Sequence, residues 1–108
     1  MTGARRPLEV VVRDRTDQVP PNVRAYASSR LRRLSSHLVL LEKAEIEFDR
    51  EAKRSREPLE VVEITVKMTA HRLLPLRVRE TGRDLRETLD LALKRIDEEI
   101  LTLKGRFR

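Results

Sequence analysis

The sequence predicts an α+β domain with the element order β-α-β-β-β-α, in which two helices cover one face of a four-stranded sheet. Two kinds of periodicity support this prediction. Apolar residues recur at spacings of three and four in two segments, which is typical of helices, and alternate with polar residues in three others, which is typical of strands. The chain has 108 residues, enough for one core but not for two. We therefore expect a single domain spanning residues 1–108.

The first strand and the first helix are predicted between residues 8 and 36. The segment from Leu8 to Arg13 is short and rich in β-branched residues, as strands are, and a turn follows from Asp14 to Gln18. Pro20 and Pro21 suit the start of a helix, because the first helical turn does not need the N–H that proline lacks. We expect this helix to end near Ser36. Its apolar stripe consists of Val23, Tyr26, Ala27, Leu31 and Leu34.

Three further strands are predicted between residues 43 and 79, with a charged loop from Glu51 to Pro58. Their core-facing residues are Ala44, Ile46 and Phe48 in the second strand, Val62, Ile64, Val66 and Met68 in the third, and Leu74, Leu76 and Val78 in the fourth. We place the fourth strand at an edge of the sheet, because Pro75 cannot donate a ladder hydrogen bond.

The last helix is predicted from a continuous apolar stripe. The stripe consists of Leu85, Leu89, Ala92, Leu93, Ile96, Ile100 and Leu103. Thr81 lies three residues before Asp84 and is the expected cap of this helix. Beyond these elements we expect a flexible N-terminal segment at residues 1–7 and a basic C-terminal tail at residues 104–108.

The overall charge narrows the class of partner. The formal net charge is +6 and the sequence pI is about 10.5, which favours a nucleic acid or another anionic surface over an acidic small substrate. The absence of cysteine excludes a disulfide scaffold and a thiolate metal site. The N-terminus lacks the apolar segment of a signal peptide, and no apolar run is long enough to span a membrane. We expect a soluble cytoplasmic protein with no membrane partner.

The first helix is the strongest candidate for an anion-binding surface. No acidic residue occurs between Asp17 and Glu42. The basic residues in this interval are Arg24, Arg30, Arg32, Arg33 and His37. On a helical wheel Arg32 and Arg33 point to solvent, while Arg24 lies at the boundary of the exposed face. Arg30 lies beside the apolar stripe and should extend its side chain along it. The interpretation is a phosphate-contacting face; an ordinary solvated surface is the alternative, although such surfaces usually mix both signs of charge.

A second acid-free interval runs from Ile64 to Arg79. Its bases are Lys67, His71, Arg72, Arg77 and Arg79. Lys67, Arg77 and Arg79 occupy strand positions that face away from the core, and the other two lie in the connecting turn. They either extend the basic surface or pair across the sheet with Glu63 and with the second strand's Glu45, Glu47 and Asp49.

The last helix contributes fewer candidates for contact with an anion. Asp90 with Lys94, and Arg95 with Glu99, have the i,i+4 spacing of ion pairs, so this helix is expected to be mainly structural. Lys94 and Arg95 remain secondary candidates, and Lys104 follows in the basic tail. The exposed positions Leu91 and Leu101 indicate a protein-interaction surface or weak self-association as an alternative, although single exposed leucines are common.

No pattern of catalytic residues is present. Glu45, Glu47 and Asp49 alternate along a strand, but no histidine joins them, so a solvated strand face is the better interpretation than metal or acid–base chemistry. The sequence has no glycine-rich phosphate loop and no nucleophile elbow. Tyr26 and Phe48 are assigned to the core, which leaves no platform for stacking bases. We therefore expect no enzyme, cofactor, metal or small-molecule substrate, and an RNA-binding mode that uses shape and phosphates.

Two segments resemble the family of ribosome hibernation-promoting factors, also called protein Y, ribosome-associated inhibitors or sigma-54 modulation proteins. Val19 to Arg24 (VPPNVR), followed by Arg30 to Leu34 (RLRRL), is similar to the family's first helix. Asp84 to Asp90 (DLRETLD), running on to Lys94-Arg-Ile96, is similar to its second. The order and separation of these segments fit, so the resemblance covers nearly the whole chain.

The resemblance implies a fold and a function. The family's domain is similar in outline to a double-stranded-RNA-binding domain. It lodges in the small ribosomal subunit against 16S-type rRNA, where it overlaps the mRNA and tRNA positions and silences translation. By resemblance, the family's basic positions fall on Arg24, Arg30 and Arg33 of the first helix and on Arg95 of the second.

The chain also departs from the family pattern. Arg86 replaces a tyrosine, and Glu98, Leu101 and Thr102 stand where the last helix is usually basic. We expect a short form, without the C-terminal domain by which long members dimerise ribosomes. The alternatives are a divergent protein-interaction module and a domain that binds structured RNA by shape. Together the predicted rRNA-binding residues are Arg24, Arg30, Arg32, Arg33, Lys67, Arg72, Arg77, Arg79, Lys94, Arg95 and Lys104.

Overall fold

The computed structural model of the chain describes residues 8–36, 41–52, 57–69 and 74–106. Its elements follow the predicted order, so the α+β prediction is confirmed. They are β1 (Glu9–Asp14), α1 (Pro21–Arg32), a 3₁₀ turn (Arg33–Ser36), β2 (Leu41–Glu51), β3 (Leu59–Met68), β4 (Leu76–Gly82) and α2 (Leu85–Arg106).

The four strands form one mixed sheet in the order β1-β2-β3-β4. β1 runs parallel to β2, and the other neighbouring pairs are antiparallel. A parallel pair needs a crossover connection, and α1 supplies it. On the face that the helices cover, Val12 is level with Ile46, Ile46 with Ile64, and Ile64 with Val78. This row of aliphatic side chains crosses the whole sheet, as the predicted alternation requires.

The core lies between this face and the two helices. Ile46, Phe48 and Ile64 of the sheet are fully buried, as are Leu31 of α1 and Leu89 of α2. Fully burying one aliphatic side chain of this size contributes about 1.5–3 kcal/mol. The apolar stripes therefore hold both helices on the sheet and direct their charged faces outward.

Asp14 fixes the turn between β1 and α1. Its carboxylate accepts hydrogen bonds from the hydroxyl and backbone N–H of Thr16 at 2.6 and 2.9 Å, and from the backbone N–H groups of Asp17 and Val19 at 3.1 and 2.9 Å. Asp17 adopts a positive φ of 58°, which aspartate tolerates better than most residues. Partial burial acts to raise the pKa of the Asp14 carboxyl, but these hydrogen bonds outweigh it and lower that pKa from its usual value.

Two details near β4 differ from the predictions. Leu74 is 84% exposed and precedes the strand together with Pro75, so Leu74 is not a core residue. β4 is at an edge, but Pro75 lies outside its ladder. Proline's missing N–H favours this position before the strand over one within it.

The predicted cap of α2 is wrong by three residues. Thr81 belongs to β4, and Asp84 caps the helix by accepting a 2.8 Å hydrogen bond from the backbone N–H of Glu87. A side chain on Gly82 would come within 2.5 Å of the Thr88 hydroxyl oxygen, so this close approach of β4 to α2 requires glycine. Within the described residues, no helix is both long enough and apolar enough to cross a membrane.

Candidate nucleic-acid interface

The outer face of α1 carries arginines without an acidic residue on the same helix. Ala27 and Leu31 are fully buried against the sheet, which fixes the helix in rotation. Arg32 and Arg33 therefore point away from the sheet and are exposed, the second of them in the 3₁₀ turn. Arg24 is exposed in the first turn of the helix. The wheel had placed Arg24 at a boundary, whereas the structure exposes it. His37 lies outside the described residues.

Arg30 belongs to a cluster that joins α1 to α2. Its Nη1 donates a 2.9 Å hydrogen bond to the Tyr26 hydroxyl, which itself donates a 2.7 Å hydrogen bond to Asp90. The Arg86 guanidinium lies 3.6 Å from the centroid of the Tyr26 ring, and its Nε is 3.6 Å from Asp90. The hydrogen bond to Tyr26 is the main cause that raises the pKa of Arg86, with the charge of Asp90 adding to it.

This cluster changes two predictions. Asp90 pairs with Arg86, four residues earlier, whereas we expected Lys94, four residues later. Tyr26 was expected in the core, but only part of its surface packs there. Its hydroxyl forms a hydrogen bond that links α1 to α2. In the sequence, Arg86 stands out only as a departure from a family tyrosine. Its contact with Tyr26 has no local signal, because the two residues are far apart in the chain.

Arg95 is held by β4 and is not a freely presented cation. Its Nη1 contacts the Glu80 carboxylate and lies 3.4 Å from the carbonyl oxygen of Arg79. The hydrogen bond to Glu80 is the main cause that raises the pKa of Arg95, and the charge of Glu99 contributes less. The predicted pairing with Glu99 is therefore secondary to Glu80. Lys94 and Lys104 are exposed on α2.

A cleft of about 200 Å³ lies where the end of α1 meets α2. It is lined by Arg30 and Arg33 on one side, by Asp97 on the other, and by Leu34 and Leu93 at its apolar base. The structure thus brings two of the predicted phosphate-binding arginines together around one concave surface. Asp97 was not among the predicted site residues, because its i,i+4 neighbours gave no reason to associate it with the first helix.

The outer face of the sheet combines both signs of charge. Arg79 forms a 3.1 Å ion pair with Glu51, and Arg77 Nε donates a 3.3 Å hydrogen bond to the Thr65 hydroxyl. Arg79 thus pairs across the sheet, but its partner is Glu51 and none of the expected residues Glu63, Glu45, Glu47 and Asp49. Lys67 is exposed and lies level with Lys43 of β2. Arg72 and His71 lie outside the described residues.

The acidic residues of β2 also have cationic neighbours. Glu45 lies 3.4 Å from Arg13 and 3.9 Å from Lys43, and Glu47 lies 3.1 Å from Arg15. Among residues 8–36, 41–52, 57–69 and 74–106, no three histidine, cysteine or acidic side chains are arranged to hold a metal ion. Glu45 and Glu47 thus take part in surface ion pairs with neighbouring cations.

The elements and their charges define a two-layer α+β domain that presents a cationic helix without acidic residues beside a sheet whose outer face carries both signs of charge. A family model described as "Sigma 54 modulation protein / S30EA ribosomal protein" matches residues 10–108. The chain belongs to this family, and the resemblance inferred from its motifs is confirmed. No curated protein sequence matches the chain.

Two solved structures share the fold. A ribosomal subunit interface protein from Coxiella burnetii superposes with a TM-score of 0.71 at 14% identity, over 91% of this chain and 99% of that one. The N-terminal domain of Protein Y from Thermus thermophilus superposes with a TM-score of 0.66 at 22% identity, over 95% of this chain and 100% of that one. The domain therefore retains its architecture at low sequence identity.

Proposed function

We propose that the protein is a cytoplasmic, non-enzymatic translation inhibitor of the hibernation type, which binds rRNA of the small ribosomal subunit and blocks the mRNA and tRNA positions. The observation that carries this proposal is the surface of α1 and its 3₁₀ turn, where Arg24, Arg32 and Arg33 are exposed on a segment without acidic residues. A surface with this local excess of positive charge attracts a polyanion such as RNA, whose phosphates release counterions when arginines contact them. Membership of the S30EA ribosomal protein family supports a ribosomal partner.

The proposed contact residues fall into two groups. α1 provides the principal contacts, with Arg30 and Arg33 sharing the cleft against α2. Peripheral contacts come from the exposed cations Lys67, Arg77, Lys94 and Lys104. Arg72, which lies outside the described residues, is proposed as a further contact. Arg79 and Arg95 contribute less, because Glu51 and Glu80 already accept their hydrogen bonds and would have to be released.

Sucrose-gradient sedimentation with purified small subunits and whole ribosomes tests the proposal. We expect co-sedimentation at low salt that weakens steeply as salt rises, with a log–log slope of about 0.7–0.9 per phosphate contact. Binding by apolar protein contacts would persist at raised salt, and binding to structured RNA in general would give similar affinity for a free RNA duplex. Absence of co-sedimentation at low salt would contradict the proposal.

Charge reversal on α1 locates the interface. The Arg32→Glu/Arg33→Glu variant should lose association, because each exposed substitution replaces an attraction to phosphate with repulsion. The control is Arg83→Glu, which reverses one charge at an exposed position outside α1 and is compared with Arg33→Glu alone as well as with the double variant. Circular dichroism establishes that all three variants fold. Equal binding by the double variant and the control would remove α1 from the interface.

A further inference from the structure

On the outer face of α2, two exposed leucines lie at equal distances before and after Ile96, an arrangement that a two-fold axis at the level of Ile96 reproduces. Leu91 and Leu101 are 50% and 47% exposed, whereas Ile96, midway between them, is fully buried on the opposite side of the helix. At about 100° and 1.5 Å per residue, the two leucines lie about 40° on either side of the outer midline and about 7.5 Å above and below the level of Ile96. Their placement is symmetric about that level.

Two residues of opposite charge on the same face are also placed symmetrically about Ile96. Lys94 and Glu98 are both exposed, and each lies two residues from Ile96. When two α2 helices pack antiparallel, Leu91 comes level with Leu101 of the second copy, and Lys94 with Glu98 of the second copy. Each contact then occurs twice, which is the property of an isologous interface.

We propose that the protein forms a weak antiparallel homodimer through this face of α2. A second copy is the occupant that the pattern favours, because it offers an acid to Lys94 and a base to Glu98 while covering both leucines. At the ends of the contact Glu87 comes level with Gly105, where a side chain would meet no neighbouring atom, so the second helix has room. One helix face is smaller than the roughly 800 Å² per partner of stable complexes, so the interface belongs to the size class of weak, transient complexes.

The dimer does not depend on the proposed ribosome binding, because it uses only contacts between copies of α2. It would nevertheless cover Lys94, one of the peripheral rRNA contacts. Self-association at high protein concentration would therefore compete with that contact and not with those of α1.

Analytical ultracentrifugation of the purified chain is the first test. The sedimentation coefficient should rise from monomer to dimer over about 5–500 µM. Lys94→Glu should raise the dissociation constant about tenfold, because both symmetric ion pairs become repulsive. The double variant Lys94→Glu/Glu98→Lys exchanges the partners in both pairs and should restore dimerisation. A wild-type chain that stays monomeric over this range would overturn the proposal, and so would a double variant as weak as Lys94→Glu.

Cysteine pairing tests the antiparallel geometry. The chain has no cysteine, so Leu91→Cys and Leu101→Cys each introduce a single thiol at an exposed site. Under mild oxidation, a mixture of the two variants should form the mixed disulfide faster than either variant links to itself. Equal or faster linkage of Leu91→Cys to itself would show that the helices do not pair antiparallel about Ile96.

Discussion

The outer faces of α1 and of the sheet are both rich in arginine, yet their charges are organised in opposite ways. On the sheet, Glu45 of β2 lies beside Arg13 of β1, Glu47 lies beside Arg15 of the turn that follows β1, and Arg79 of β4 reaches Glu51. On α1 no acidic residue occurs, and the carboxylate that its Tyr26 contacts belongs to α2. Exposed ion pairs contribute only about 0–1 kcal/mol each, so the sheet gains solubility and register more than stability. The separation of charge signs, and not the number of arginines, distinguishes the candidate interface.

Both faces belong to one scaffold, and the turn that Asp14 stabilises connects β1 of the sheet to α1. Asp14→Asn removes charge from a carboxylate that accepts four hydrogen bonds, so the free energy of unfolding should fall by about 1–3 kcal/mol. Asp17→Asn is the matched control, because Asp17 is exposed and asparagine tolerates its positive φ. Urea denaturation at about pH 7 compares the variants. Equal losses from both substitutions would contradict the role given to Asp14.

The lowered pKa of the Asp14 carboxyl predicts that the free energy of unfolding falls at acidic pH. The folded state lowers the pKa of Asp14 below the ordinary value of 3.8, so its contribution to stability is complete above that value and is lost as the pH falls through the folded pKa. The Asp14→Asn variant should lack this part of the acid-induced loss. Denaturation of both proteins at several pH values below about 5 measures the difference, which should shrink as the pH falls.

Adding an acid to α1 makes this face resemble the sheet. Ser29→Glu places a carboxylate at the exposed position three and four residues before Arg32 and Arg33, where helix ion pairs form. We expect ribosome binding to weaken about tenfold, equivalent to about 1.4 kcal/mol, and the salt slope to fall by about one contact. The fold should be unaffected or slightly stabilised, because glutamate is the better helix former.

Ser29→Gln is the control for this substitution, since it has a similar size without charge. Binding measured at several salt concentrations separates the two variants. A glutamine variant as weak as the glutamate variant would indicate a steric effect at Ser29. Unchanged binding by both would mean that the acid-free character of α1 has no role in recognition.

The sequence predicted the scaffold better than the charges because the two depend on different distances along the chain. Alternation and helical spacing are local, and they identified Ile46, Ile64 and Leu89 as core residues. Ion pairing depends on which elements become neighbours: Arg79 reaches Glu51, 28 residues away, and Arg95 reaches Glu80, 15 residues away.

Asp90 illustrates how tertiary contacts choose between local alternatives. Both Arg86 and Lys94 have i,i+4 spacing to it, so the sequence offered two equivalent partners. The structure selects Arg86, because Tyr26 from α1 lies where it can stack with that guanidinium and hydrogen-bond the same carboxylate. A residue of α1 thus determines which ion pair forms on the surface of α2. Periodicity along a single helix does not reveal such a contact.

The smallest expected effect tests whether the sheet takes part in binding. Glu63 of β3 lies directly level with Glu47 of β2, and like charges in this position repel. Its other neighbour, Arg79, has Glu51 as an ion-pair partner, so Glu63→Gln should change the free energy of unfolding by only about 0.5 kcal/mol, towards greater stability. If the sheet faces solvent in the complex, ribosome affinity should not change. If the sheet approaches rRNA, removal of a negative charge should strengthen binding severalfold, and the cations Arg77 and Lys67 would then join α1 as principal contacts.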